Sequence, residues 1–209
     1  MESWDLVTAE RSALVDLLET LGPEQWEVQS LCPAWTVHGV AAHLLSPLEA
    51  RPLDMLRAAV AGFGLPAPTT AALARRWADR TPEQLMAGLR EQVAHRFAPP
   101  GMGYRAPLTD VMVHRLDIAV PLGIEVDRPA SSWAPVLDFL TSGMPMLGSM
   151  RGGRPRVRWH ATDLGWSKGK GPEVRGPAEA IGLSMSGRLG RLQRLEGDGV
   201  PALESWLAR

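Results

Sequence analysis

Three polar residues in the segment TDVMVHRLDIAVPLG, at 109–123, are the first place where the sequence suggests chemistry. Asp110 and His114 are four residues apart and Asp117 follows three residues later, so a helix places them on one face. A helix can bind a metal ion through two side chains that are separated by one helical turn. A solvated polar stripe is the alternative for so short a motif. A metal site needs a third ligand from another element.

Of the five histidines in the chain, His43 has the setting that best suits a third ligand. It lies in the segment VAAHLL, on or beside the apolar face of a predicted second helix, where an unpaired imidazole would be costly. A core histidine bonded to a carbonyl group is one explanation. The other is that this helix packs against the helix of Asp110 and His114, as in four-helix bundles that bind metals.

Composition limits the kind of protein and the kind of metal site. With 209 residues, 45% hydrophobic content and a net charge of −1, the chain can form one large domain or two unequal ones. Its scattered charges give no basic footprint for nucleic acid, so we expect small molecules or proteins as partners. The single cysteine, Cys32, excludes a multi-cysteine zinc site, so a metal would be bound by nitrogen and oxygen.

The N-terminal segment and the hydropathy pattern bear on localisation. The first residues, MESWDLVTAERSALVDLLETL, mix charges throughout and lack the basic and apolar regions of a signal peptide. No unbroken apolar segment has the length of a transmembrane helix. We therefore expect a cytoplasmic protein without a membrane partner.

Helical periodicity predicts a mainly α fold for the first part of the chain. Thr36 is a predicted N-cap, and Thr81 with Gln84 forms a predicted capping box. We expect Trp35 to pack where the second helix begins. Four of the predicted helices are at 4–21, 81–97, 109–123 and 130–147. Another begins at Thr36 and continues with a kink through Pro47 and Pro52 towards Ala61. Shorter helical stretches are predicted on either side of residues 80–82.

The pattern changes after about residue 155. Residues 156–171 alternate in polarity and contain two turns, which predicts a short antiparallel sheet. Helical spacing returns at 176–192 and at 199–208. We place a linker at 148–155, between an all-helical domain at 1–149 and a small α+β domain at 150–209.

Three segments, in this order, resemble a known family. CPAWTVHGVAAHL at 32–44 resembles the N-terminal signature of the mycothiol-dependent maleylpyruvate isomerase family, a branch of the DinB-like four-helix metalloproteins. DVMVHRLDIAVPLG at 110–123 resembles the second signature, and the tail from Ala161 is similar to the family's sterol-carrier-like C-terminal domain. The resemblance spans nearly the whole chain. It implies a DinB-like four-helix bundle followed by a small α+β domain.

The resemblance also implies a ligand set and a cosubstrate. By position, the family's metal ligands fall on His43, Asp110 and His114, where the acidic ligand is often Glu. Two imidazoles and one carboxylate leave a tetrahedral ion with an open position, which is the arrangement of a catalytic site. Zinc is the first candidate, although these ligand types also suit nickel, iron or manganese. The family's cosubstrate is mycothiol, a small thiol that such an ion binds as a thiolate.

The implied function is a metal-dependent enzyme in which mycothiol, or a related small thiol, adds to an electrophilic small molecule. The reaction is that of an isomerase or of an S-transferase. A non-catalytic binding or regulatory member of the same fold is the alternative.

Two further residues are candidates for this site. Arg188 matches a functional arginine of the family and would bind a carboxylate, unless it forms a simple basic face with Arg191 and Arg194 at helical spacing. Asp117 would accept a hydrogen bond from a ligand imidazole or contact the sugar of the thiol, unless it is a solvated helix residue.

Overall fold

The computed structural model describes residues 3–142 and 153–208. The chain divides into two compact units, residues 1–124 and residues 125–209. The first unit is helical, and the second combines helices with a three-stranded sheet. The predicted fold class, a helical bundle followed by a small α+β domain, is confirmed.

Four helices of the first unit form the bundle that carries the candidate site. Helices α1 and α2 each pack against both α5 and α6, so the four helices enclose one core. A hairpin of α3 and α4 packs on the outside of α2. The helices are α1 (Ser3–Glu19), α2 (Val37–Glu49), α3 (Pro52–Ala61), α4 (Pro66–Arg75), α5 (Pro82–Glu91) and α6 (Arg105–Ala119).

Helix α6 lies in the middle of this core. All of residues 111–119 are buried, including the charged side chains of Arg115 and Asp117. A helix that is buried on all sides shows no amphipathic pattern, because it has no solvent-facing side. The alternative of a solvated polar stripe on this helix is therefore wrong.

The predicted start signals of two helices are confirmed. The Thr36 hydroxyl accepts a hydrogen bond from the backbone N–H of Gly39 at 3.3 Å, which begins α2. At α5, Thr81 and Gln84 form the reciprocal capping box. Helix α5 ends at Glu91, whereas the sequence predicted a helix to about residue 97.

The predicted single kinked helix after Thr36 is wrong. Pro47 is accommodated inside α2, but the chain leaves the helix at Ala50 and Arg51, and Pro52 begins α3. Proline has a fixed φ and no N–H to donate, and it disfavours helical geometry in the residue before it. These properties suit the first position of a new helix, so Pro52 separates two helices.

Glu49, at the end of α2, is bonded to the segment that follows α4. Its carboxylate accepts a hydrogen bond from the Trp77 indole at 2.8 Å and forms an ion pair with Arg80 at 2.6 Å. Burial raises the pKa of Glu49, but the bonds from Arg80 and Trp77 outweigh burial and hold this pKa below its ordinary value of 4.5.

Gly88 lets α5 approach α2 closely. A Cβ atom at this position would lie 2.7 Å from side-chain atoms of both Leu45 and Glu49. Since no larger residue fits at this distance, the glycine sets the spacing between the two helices.

The second unit contains a mixed sheet with the strand order β2-β1-β3. Strand β1 pairs antiparallel with β2, as predicted for residues 156–171, and parallel with β3, a strand that was not predicted. After β2 the chain crosses the start of β1 at Gly171, where a Cβ would lie 2.4 Å from the Arg156 carbonyl oxygen. The elements are α7 (Ala134–Thr141), β1 (Arg158–Ala161), β2 (Trp166–Gly169), β3 (Glu173–Gly176), α8 (Ala178–Met185) and α9 (Val200–Leu207).

The compact units divide earlier in the chain than the predicted domains. Helix α7 packs against α8, which places residues 125–142 with the second unit. Three predictions fall at least partly outside the described residues. They are the domain boundary between residues 149 and 150, the last part of the predicted fifth helix at 143–147, and most of the predicted linker.

Among the described residues, no helix has both the length and the apolar character required to cross a membrane.

Candidate metal centre

The structure brings His43, Asp110 and His114 together inside the bundle of the first unit. Each residue offers one ligand atom, and these atoms lie within 4.8 Å of one another. The Asp110 carboxylate oxygen is 3.5 Å from the Nε2 atom of His43 and 3.5 Å from the Nε2 atom of His114. His43 comes from the middle of α2, and the other two come from adjacent turns of α6.

The site is buried on the histidine side and open on the carboxylate side. His43 and His114 are 7% and 6% exposed, whereas the Asp110 side chain is 42% exposed. A small molecule can therefore approach along Asp110 while the bundle core covers the imidazoles.

The residues fit a divalent metal ion by their types and by the separation of Asp110 from each histidine. A separation of 3.5 Å between nitrogen and oxygen is longer than an ordinary hydrogen bond. It matches the roughly 3.3–3.6 Å between ligands that bind one zinc ion tetrahedrally at about 2.0–2.2 Å. Two imidazoles and one carboxylate are also a usual protein set for a catalytic zinc ion, which keeps a further position for water or substrate.

His114 is oriented by Asp117. The Nδ1–H of His114 donates to the Asp117 carboxylate at 2.9 Å, and the Asp117 side chain is fully buried. This bond leaves the lone pair of Nε2 facing the other two residues of the cluster. The alternative of a solvated Asp117 is wrong, and a side chain without exposed surface has no area to contact a sugar.

Trp35 covers the two imidazoles. Its indole stacks on the His43 ring with centroids 4.4 Å apart and planes 22° apart, and its centroid lies 5.8 Å from that of His114. The sequence analysis predicted only that Trp35 packs where α2 begins. The missed signal is Gly39, which is one turn before His43 on the same side of α2 and leaves space there for the Trp35 indole.

Comparisons with known proteins find similarity in sequence and in fold. Residues 7–99 match the sequence profile described as the mycothiol maleylpyruvate isomerase N-terminal domain. This part of the chain is thus similar to the N-terminal domain of the family that the sequence motifs indicate. The recognition made from the sequence motifs is therefore confirmed.

Solved structures show the same fold over most of the chain. A crystal structure of the mycothiol-dependent maleylpyruvate isomerase matches with a TM-score of 0.59 and 14% sequence identity, over 94% of this chain and 92% of that chain. A histidine-to-alanine mutant of the mycothiol-dependent maleylpyruvate isomerase matches with a TM-score of 0.58 and 14% identity over the same shares. No curated protein matches the chain in sequence.

Two charged residues that the sequence pattern did not single out form a buried ion pair between α1 and α6. Glu10 and Arg115 form an ion pair at 3.1 Å, with 0% and 5% of their side chains exposed. The pair links α1 to α6 beside His114, which is the residue before Arg115. A buried pair of this kind fixes the relative position of two helices, because breaking it leaves a buried charge without its partner.

Arg11 is a second buried charge near the cluster. Its guanidinium donates to the carbonyl oxygen of His95 at 2.5 Å and is buried except for 6% of its surface. Burial lowers the pKa of Arg11, and the charge of Asp110 opposes this effect. Arginine keeps its charge at any physiological pH, so Arg11 places a fixed cation near the acidic ligand.

Arg188 lies in the second unit, after the end of α8. Its guanidinium is half-buried and donates to the Ser186 carbonyl oxygen at 2.6 Å. Helix α8 ends at Met185, so the alternative of a basic helical face formed with Arg191 and Arg194 is wrong. Both of those arginines form ion pairs with Glu179 instead.

The other three histidines are not part of the cluster. His38 bonds through Nε2 to the Arg80 carbonyl oxygen at 2.8 Å. His95 lies beyond the end of α5. His160 lies on β1 in the second unit, with Nδ1 at 3.5 Å from the Glu173 carboxylate.

Proposed function

We propose that the protein is a metal-dependent enzyme that uses mycothiol, or a related low-molecular-weight thiol, on an electrophilic small molecule. The observation that carries this proposal is the cluster of His43, Asp110 and His114, which has the composition and spacing of a three-ligand site. The family of the N-terminal region and the names of the similar structures support the choice of thiol.

His43, Asp110 and His114 hold the metal ion, for which zinc is the first candidate. A bound zinc ion would act as a Lewis acid that keeps a thiol in its thiolate form at neutral pH. Asp117 holds the His114 ring so that its Nε2 atom faces the other two residues of the cluster. The exposed side of Asp110 leaves room for the sulfur to reach the site.

The nucleophile is supplied by the cosubstrate. Thiol addition by the protein itself would need a cysteine at the metal cluster. The chain has one cysteine, Cys32. The thiolate adds to an electrophilic carbon of a conjugated double bond, and the carbon skeleton can then rotate about the resulting single bond. Elimination of the thiolate restores the double bond and gives an isomer, whereas protonation of the adduct gives the product of an S-transferase.

Arg188 is the proposed carboxylate-binding residue of this reaction. A guanidinium group binds a carboxylate through two parallel N–H···O bonds, which fixes the orientation of the bound molecule. Electrophiles with conjugated double bonds often carry such a group, and the similar solved structures are named for maleylpyruvate, which is a carboxylate. The role proposed for Arg188 is thus to orient the bound carboxylate.

The test uses purified full-length protein whose metal content is measured by elemental analysis. The metal is then removed with a chelator, and zinc is added back. We expect about one metal ion per chain and a thiol-dependent change in tryptophan fluorescence. We also expect turnover of a conjugated carboxylic acid such as maleylpyruvate only when metal and mycothiol are both present.

Two outcomes separate the proposal from its alternative. Thiol binding without turnover of any electrophile in a panel would favour the non-catalytic binding or regulatory protein. Turnover that persists after complete removal of the metal would overturn the metal-dependent mechanism.

A further inference from the structure

The two imidazoles of the cluster are held in different ways. The ring of His114 is fixed by its hydrogen bond to Asp117. The Nδ1 atom of His43 is buried, and it has no hydrogen-bond partner among the described residues. Since a metal-binding histidine usually donates its second ring N–H to a carboxylate or carbonyl, another interaction must orient His43.

The indole of Trp35 makes the contact that can do this. Its plane is within 22° of the His43 ring plane at a centroid distance of 4.4 Å, which is a stacked arrangement. Rotation of the imidazole about its Cβ–Cγ bond would drive the ring edge into the indole. The stack therefore fixes the plane of the ring, and in this plane Nε2 lies 3.5 Å from the Asp110 carboxylate.

Helix α2 is shaped to accept this indole. Gly39 is one turn before His43, and a Cβ atom there would lie 2.9 Å from Cβ and 3.3 Å from Cδ1 of Trp35. Only glycine leaves the space that the tryptophan side chain occupies. The indole thus lies along the helix surface, directly before the imidazole.

The backbone of Trp35 is also fixed. Its carbonyl oxygen accepts hydrogen bonds from Gln29 Nε2 at 2.7 Å and from Ser30 Oγ at 2.6 Å. In the same loop the Leu31 N–H donates to the backbone carbonyl of Asp117 on α6 at 3.0 Å. A side chain on a loop with these anchors can restrain its neighbour.

We propose that Trp35 is a positioning residue for the metal ligand His43, with the same task that Asp117 performs for His114. This inference rests on the proposed metal site. Loss of the stack lets the His43 ring sample other orientations. Zinc affinity then falls by about two- to tenfold, the range expected for one aromatic pair.

The test compares Trp35→Leu, which keeps apolar bulk but removes the stack, with Trp35→Phe, which keeps a ring that can stack. Zinc affinity of the metal-free proteins is measured by competition with a chromophoric chelator at pH 7. We expect weaker binding for Trp35→Leu and partial recovery for Trp35→Phe. Trp26→Leu is the matched control, because Trp26 contacts the non-ligand His38, and its zinc affinity should equal that of the wild type.

A second readout separates positioning from a general structural role. Nitrogen NMR spectra of histidine in the metal-free proteins report the tautomer and mobility of each ring. In Trp35→Leu the His43 signals should broaden or show both tautomers, whereas the His114 signals keep their wild-type positions. Equal shifts of both histidines would indicate a general structural effect and overturn the proposal.

Gly39→Ala provides a variant that leaves Trp35 in the sequence. Alanine favours the helix, but its Cβ displaces the indole, so the variant should bind zinc more weakly, as Trp35→Leu does. Wild-type zinc affinity and unchanged His43 signals in both variants would refute the role of Trp35. Failure of the wild-type protein to bind zinc would refute the proposed function instead.

Discussion

The bond between His114 and Asp117 offers the sharpest test of the candidate metal centre. The change Asp117→Asn keeps the size and shape of the side chain but removes its charge. At the buried, 2.9 Å bond to His114 Nδ1, an amide can still accept through its oxygen. It can instead present its NH₂ group, which would reverse the histidine tautomer and place the proton on Nε2.

Both effects weaken metal binding. A net hydrogen bond to a charged group contributes about 1.5–3 kcal/mol, against about 0.5–1.5 kcal/mol for a neutral one. Because the Asp117 side chain is 0% exposed, water cannot replace the lost interaction. The loss of binding free energy should therefore lie in the upper part of the difference between these two ranges. We expect the zinc Kd to rise by about ten- to a hundredfold, or roughly 1.4–2.7 kcal/mol.

The assay is a zinc competition titration of metal-free Asp117→Asn at pH 7, with helical content followed by circular dichroism. Asp16→Asn, an exposed change on α1, controls for the loss of one negative charge. A folded Asp117→Asn protein whose zinc Kd stays within twofold of the wild type would refute the argument that Asp117 tunes His114.

Three further predictions concern the ligands, Arg188 and acid stability. Metal analysis and circular dichroism of His43→Ala and His114→Ala should show loss of bound metal with nearly unchanged helical content, since apolar packing stabilises the bundle. Steady-state kinetics of Arg188→Ala should show a ten- to thousandfold lower kcat/KM with metal retained, because charge-assisted hydrogen bonds contributing about 1.4–4 kcal/mol in total are lost. Arg188→Lys should recover part of this loss. The folded-state pKa of Glu49 lies below its ordinary value of 4.5. The ionised Glu49 carboxylate therefore stabilises the fold above about pH 4.5, and this stabilisation is lost as the pH falls through the folded-state pKa. Thermal melts should therefore show that the Tm difference between the wild type and Glu49→Gln narrows below about pH 4.5.

The helices and the ligand cluster could be predicted because their signals are local or belong to a motif. Thr36 and the Thr81–Gln84 pair begin helices through their own side chains, and the structure has both caps. Asp110 and His114 needed only helical spacing to be grouped. His43 became the third candidate because an imidazole among apolar residues needs an explanation.

Other features depend on tertiary contacts that a periodicity argument does not contain. Asp117 is a polar residue on a helix, and a periodicity argument does not predict its complete burial. The burial depends on its hydrogen bond with His114. The parallel pairing of β3 with β1 depends on the crossing at Gly171, since the strand pattern is the same in either direction. Arg191 and Arg194 have helical spacing in the sequence but follow a helix that has already ended.

Asp117 connects the two halves of the candidate metal centre through two different groups. Its carboxylate holds His114, and its backbone carbonyl holds Leu31 of the loop that carries Trp35. One buried residue thus bonds to the histidine of α6 and to the loop whose indole stacks on the histidine of α2. We expect the proposed metal site to select among metal ions by how well each ion fits this arrangement.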